Sequence, residues 1–163
     1  GVPVINLNTT SSYLDLCEYI QHAWEELGFK VKVNINPPST HREKVSKSQL
    51  SIFRGSWIAD YADAENYLAL FYSKNHSPNG PNYTHFSNKE YDNYYEKLFS
   101  LPELVDRIPL YKKMDSIIIH QAAVIPLYYD NVIRFSHKKV KGLGVNGMNL
   151  LNLKKVRFTS DKN

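Results

Sequence analysis

Cysteine is nearly missing from this sequence: Cys17 stands alone. An internal disulfide is thereby excluded, and the place of Cys17 in a helical apolar pattern reads as a small buried residue. Long hydrophobic runs are missing too. No stretch approaches the ~18 apolar residues that a membrane-spanning helix needs. The opening residues show no basic stretch followed by an apolar one, so no secretory leader is visible. The sequence opens on Gly1 and not on Met, which we read as an excised or processed piece, so the missing leader carries no information about location. The histidines (His22, His41, His76, His85, His120 and His137) are scattered, none four residues from another. With one cysteine, that leaves no expected protein-ligated metal site, and no cofactor is expected. The net charge of +4 is modest. Much of it comes from Lys138, Lys139, Lys141, Lys154, Lys155 and Arg157. These fall on expected strands and turns without a nucleic-acid-binding module, so they read as a solvated face, and no nucleic-acid partner is expected.

What is present is an ordinary apolar fraction, 42%, on 163 residues. That is enough for one domain, 1–163, with a real core. Tyrosine is over-used, with twelve residues. A phenol supplies contact area and one hydrogen bond together, which suits a ligand cleft and a half-wet core equally. Val4 to Asn8 alternates as a strand. Ser12 and Asp15 are spaced as a cap for a helix whose apolar residues (Leu14, Cys17, Ile20, Trp24, Leu27) recur at helical spacing, and Gly28 stops it. Phe29 to Ile35 alternates again, closing a β-α-β unit. Thr40 and Glu43 are spaced to cap a second helix, and Leu50 to Phe53 leads into a third strand.

Such crossovers predict parallel strands with right-handed connections. The fold class expected is therefore α/β: three layers around a mostly parallel sheet of strands at 3–9, 29–35 and 50–56, extended by 122–135 and 150–158. Asp63 is placed to cap a helix over 64–72. A loop rich in Asn, Pro and Gly follows, then a helix over 88–100 with Ser87 and Glu90 as its capping box. Another helix is expected over 106–121, with Pro109 in its first turn.

In open parallel sheets, ligands sit beyond the carboxyl ends of strands. Two segments fall there. Thr9 and Thr10, with Ser11 and Ser12, lie at a helix amino end, where N–H groups and hydroxyls can meet an anion or a carbonyl. Trp57, Asp60 and Tyr61 follow the third strand and offer an indole donor, a carboxylate and a phenol. Trp57 reads equally as a core residue and Asp60 as a turn residue; Asp63 reads as a helix cap. Asp60 and Asp63 form a carboxylate pair, but no base or nucleophile motif accompanies them, so a hydrolase is the weaker alternative and no catalytic residue is assigned.

Phe53 to Asp63, followed by Asn66-Tyr-Leu68, resembles the W-x-A-D-Y-x-D signature of the family 5 extracellular solute-binding proteins of bacterial ABC importers. Asn88 to Asp92 resembles their N-x-E-Y-D. Asp106-Arg107 with Leu110-Tyr111 resembles a compressed form of their D-x-x-x-R-x-x-L-Y helix. Ala123 to Tyr129 resembles P-V-I-P-L-Y-Y, and Val140-Lys-Gly142 the V-x-G after it. The family usually has proline at the positions of Ala62 and Ala64. The resemblance implies a lobe of the type II periplasmic-binding-protein kind, here the later part of a second lobe and the crossover to the first. It implies binding of a peptide, with a nickel complex or a sugar as alternatives, and delivery to membrane permease subunits. It also implies a periplasmic or lipid-anchored cell-surface location. In peptide-binding members the matching aspartate pairs with the ligand's α-amino group, which points to Asp60, and Trp57 would wall the pocket.

Overall fold

The computed structural model describes residues 3–147 and 150–159. Its first half is built on three parallel strands. Strand β1 (Val4–Thr9) lies between β2 (Lys30–Ile35) and β3 (Ile52–Phe53). The register sets Leu7 beside Val33 and Ile52, and Asn8 beside Asn34 and Phe53. Helix α1 (Leu14–Glu26) crosses from β1 to β2. Its Cys17, with no exposed surface, packs with Leu7 and Val31, and Ile20 and Trp24 close over the same face. Gly28 ends the helix in the left-handed region at φ 89°, a conformation glycine adopts without a Cβ penalty. Helix α2 (Pro38–Ser46) crosses from β2 to β3. Its buried His41 sets its ring edge-on to Phe53 at 6.4 Å and bonds through Nε2 to the Arg54 carbonyl at 3.0 Å. The two crossovers and the parallel pairing agree with the sequence pattern.

The second half is helical and holds a separate cluster of buried side chains. Helix α3 (Glu65–Leu68) is short, α4 (Lys89–Leu98) and α5 (Leu104–His120) are longer, and Leu68, Tyr91, Tyr95, Leu98, Leu110, Tyr111, Met114 and Ile118 pack together. Three of these are tyrosines. The buried Tyr91 hydroxyl donates to the Leu68 carbonyl at 2.7 Å, so its burial leaves no orphaned O–H. At the rim Tyr72 donates to Glu96 at 2.6 Å and Tyr94 to Glu90 at 2.8 Å. The loop before α4 is organised by Asn82, which is fully buried. Its amide donates to the carbonyls of Tyr72 and Phe86, and its oxygen accepts from Thr84 and the Phe86 N–H.

Several expectations are corrected. The 122–135 run joins no ladder among the described residues and is mostly exposed, with Tyr129 and Phe135 nearly bare. Its apolar content suits a strand, but a strand needs a partner strand for its backbone groups, and among the described residues none pairs with it. The 150–158 segment contributes only β5 (Arg157–Phe158), which pairs antiparallel with β4 (Val140–Lys141) in a ribbon apart from the main sheet. The third strand is likewise shorter than 50–56. The helix expected over 64–72 is α for one turn and then 3-10.

The three capping boxes also differ. Ser12 and Asp15 make no cap bond, because a 3-10 turn (Ser11–Tyr13) opens α1. Helix α2 starts with Pro38, which places Thr40 inside it and leaves Glu43 to pair with Lys47 at 2.7 Å. Asn88 and not Ser87 caps α4, accepting the Tyr91 N–H at 2.9 Å. Helix α5 starts at Leu104, ahead of the expected Asp106, so Pro109 sits beyond its first turn and removes one internal hydrogen bond.

Candidate functional site

The segment from Arg54 to Ala64 leaves the carboxyl end of β3 and enters α3. It has little regular structure of its own, and side chains from α3, α4 and α5 fix it. Asp63 lies one residue ahead of Ala64, the N-cap of α3, and not at the expected cap position, yet its Oδ1 still accepts the Glu65 N–H at 2.9 Å. The same oxygen accepts the Tyr111 hydroxyl at 2.6 Å, and Oδ2 meets Arg107 Nη1 at 2.8 Å. Burial pushes the Asp63 carboxyl up, but Tyr111, the Glu65 amide and the Arg107 guanidinium outweigh it, and the net shift is downward. Asp63 is therefore a structural anion tying α3 to α5.

Glu65 is buried and accepts two hydroxyls, from Tyr61 and from Tyr95. The hydrogen bond to Glu65 raises the Tyr61 phenol, with burial adding to it and Asn66 opposing it. Burial, followed by the bond to Glu65, raises Tyr95. Asn66, only 5% exposed, directs Oδ1 at two donors: the Trp57 indole N–H at 2.8 Å and the Asp60 backbone N–H at 3.2 Å.

Against this background Asp60 stands out. Its side chain is exposed, and among the described residues its carboxylate has no hydrogen bond or ion pair. Asp63 and Glu65, the next two acids along the chain, are both consumed by the fold. Trp57 and Tyr61 sit with Asp60, but their polar atoms turn inward to Asn66 and Glu65. They offer ring surface, with Tyr61 half exposed. Thr9 is fully buried at the carboxyl end of β1, where its carbonyl accepts the Asn36 N–H at 2.8 Å. Thr10 is half-buried, and its carbonyl accepts the Tyr13 N–H at 3.1 Å. Among the described residues no hydrogen bond joins Thr9 or Thr10 to Trp57, Asp60 or Tyr61. β1 and β3 are neighbours, and both segments leave the same end of the sheet.

Sequence reasoning gave no role to the residues that hold the site. Asn66, Arg107 and Tyr111 stand in motifs quoted above and Glu65 and Tyr95 do not, but the contacts that Glu65 makes with Tyr95, and Asp63 with Arg107 and Tyr111, span separations that no local motif encodes. Arg54 was also passed over. Its guanidinium carbon lies 3.2 Å from the centre of the Tyr13 ring, and Nη1 reaches Ser56 at 3.4 Å.

Residues 2–79 match the family model described as bacterial extracellular solute-binding proteins, family 5 Middle. Oligopeptide-binding protein OppA of Bacillus subtilis is 25% identical over 85% of the chain and 25% of its own length. Dipeptide-binding protein DppE of the same organism is 26% identical over 94% of the chain and 28% of its own length. The chain thus spans about a quarter of the curated relatives it matches. Among solved structures, the periplasmic binding protein DppA of Helicobacter pylori, in complex with the peptide STSA, superposes with a TM-score of 0.76. It is 23% identical and covers 95% of this chain and 31% of its own. At that identity the likeness establishes the fold, the α/β architecture of the type II periplasmic binding proteins. Residues 2–79 thus match the family 5 model of the bacterial extracellular solute-binding proteins, and most of the chain is similar to the peptide-binding proteins OppA and DppE.

Proposed function

We propose that the protein carrying this chain is the substrate-binding component of an ABC importer. It binds peptides outside the cytoplasmic membrane, in the periplasm or lipid-anchored at the cell surface, and delivers them to a membrane permease. It works by binding and release and not by catalysis. The observation that carries the reading is the Asp60 carboxylate, exposed and unpartnered among the described residues, while the next two acids along the chain are bonded inward. A fixed, unpaired anion suits a ligand ammonium, which needs a charged partner to offset its desolvation. In this reading Trp57 and Tyr61 give ring surface beside the peptide's first residues. Thr9 and Thr10 border the site from the end of β1, and a first lobe outside this chain closes over the ligand. The names of OppA and DppE and the peptide held by the Helicobacter pylori protein support peptides over a nickel complex or a sugar.

The test is calorimetry on the protein that carries this chain, comparing wild type with Asp60→Asn. The amide keeps the size and loses the charge, so the expected cost is on the order of 2–5 kcal/mol. Acetylating the peptide's amino terminus should cost a similar amount. The two losses should not add, because both remove the same ion pair. Unchanged affinity in Asp60→Asn would refute the ammonium assignment.

A further inference from the structure

We infer that Asn66 is the positioning residue of this site, and that the recognition of an α-ammonium by Asp60 depends on it. The inference rests on the reading that Asp60 receives that ammonium. Asn66 has no route to a ligand of its own, being only 5% exposed at the start of α3. An amide oxygen has two lone pairs, and here both are filled by the proposed binding segment. The Trp57 indole N–H takes one at 2.8 Å and the Asp60 backbone N–H the other at 3.2 Å.

One atom therefore sets the plane of the aromatic wall and the backbone from which the carboxylate projects. Between them Ile58 is largely exposed and adds little packing, and the next hold on the segment is at Tyr61, whose hydroxyl bonds Glu65 and whose carbonyl accepts the Asp63 N–H. Asn66 is itself held from behind. It is part of the helix whose first residue, Glu65, is fastened to Tyr95 on α4, and Asp63, just ahead of that helix, is fastened to Arg107 and Tyr111 on α5. The chain of contacts runs from the buried helical cluster through Asn66 to Asp60. An exposed carboxylate loses rotational and backbone freedom when it pairs, and a turn already fixed by a buried acceptor has less to lose.

The experiment uses the full-length protein that carries this chain. Asn66→Leu removes the acceptor at similar volume. Asn66→Asp keeps an oxygen where the two N–H groups point. Calorimetry is run with a free-amine peptide and with its N-acetylated form. The Trp57 indole N–H, assigned in nitrogen-15 spectra by its loss in Trp57→Phe, reports the hydrogen bond independently of binding.

Asn66→Leu should shift the indole resonance and weaken the free-amine peptide by about tenfold or more. It should barely change the acetylated peptide and add nothing in an Asp60→Asn background. Asn66→Asp should keep the resonance near its place and hold affinity within a few-fold. A general packing defect would instead weaken both peptides alike, and that result overturns the inference. So does a folded Asn66→Asp protein that loses as much affinity as Asn66→Leu. If Asn66→Leu does not fold, the Asn66→Asp rescue and its indole resonance decide the matter alone. If Asp60→Asn loses affinity while Asn66→Leu does not, the positioning role fails and the ammonium reading stands. If Asp60→Asn loses none, the ammonium reading fails and the inference falls with it.

Discussion

Replacing Asp63 by Asn probes the clamp that ties the binding segment to α5. The carboxylate accepts from the Glu65 N–H, the Tyr111 hydroxyl and the Arg107 guanidinium. An amide in its place keeps Oδ1 for the first two but turns an NH2 group toward Arg107. The pair is 22% exposed on the Asp63 side and 19% on the Arg107 side. That places it between a surface ion pair, worth about 0–1 kcal/mol, and a buried one, whose disruption costs about 3–5 kcal/mol. Arg107 Nε is buried without a hydrogen-bond partner among the described residues, so the guanidinium already bears a desolvation cost that Asp63 offsets. We expect Asp63→Asn to cost about 2–3 kcal/mol, or roughly 4–12 °C in Tm for a domain of this size. Urea denaturation of the protein that carries this chain should show a lower midpoint with an unchanged slope. Arg107→Met keeps the apolar stem and removes the charge. The double variant should then fall short of the sum of the singles by about 1 kcal/mol or more. A cost under about 0.5 kcal/mol, or strict additivity, would show that the ion pair is a solvent-screened contact without structural weight.

Asn82→Ala should cost on the order of 3 kcal/mol, because it leaves the buried carbonyls and N–H that Asn82 serves without partners, and thermal unfolding will measure it. Acid should act through Asp63. Its folded carboxyl sits below the ordinary value, so its stabilisation is present above the unfolded pKa and is lost as pH falls through the folded one. An acid titration of unfolding should therefore be shallower in Asp63→Asn than in wild type. The 163-residue chain by itself should self-associate through the exposed apolar side chains of 124–135 and 150–158, and light scattering showing a strict monomer at high concentration would count against this.

The sequence made one half of the molecule legible and left the other obscure for a definite reason. Strand β1, helix α1 and strand β2 carry their own periodicity, and their burial is mutual, so alternation at Phe29 to Ile35 and a 3.6-residue repeat from Leu14 to Leu27 were enough to place them. Gly28 and Cys17 took the roles their chemistry suggests. The run from Ala122 to Phe135 was misjudged because apolar, β-rich composition states what a segment would bury and not whether a partner strand lies beside it. The capping residues were misplaced because several Ser, Thr and Asn candidates lie within a residue or two of each helix start, and backbone geometry selects among them. At the candidate site, Asp60 and Trp57 were visible as residue types at the end of a strand. Their support was not: Tyr95 lies 30 positions from Glu65 and Tyr111 lies 48 from Asp63, and only the folded helices bring them together.

The tyrosines that hold the helical half together have a consequence at high pH. Six phenols sit above their ordinary ionisation range. Burial leads for Tyr72, Tyr91, Tyr95 and Tyr111, and a carboxylate partner leads for Tyr61 and Tyr94. A phenolate has no proton to donate, so each ionisation would turn a hydrogen bond to a carboxylate or a carbonyl into a repulsion. The stabilisation these groups supply is complete below the unfolded tyrosine pKa and drains away as pH climbs through the raised folded values. In alkali, then, Tyr72 and Tyr94 at the rim can ionise with the core intact, whereas the buried Tyr91 and Tyr95 become phenolates only as the helical core opens, so the last part of the near-ultraviolet titration should coincide with the loss of the scaffold beneath Asp60.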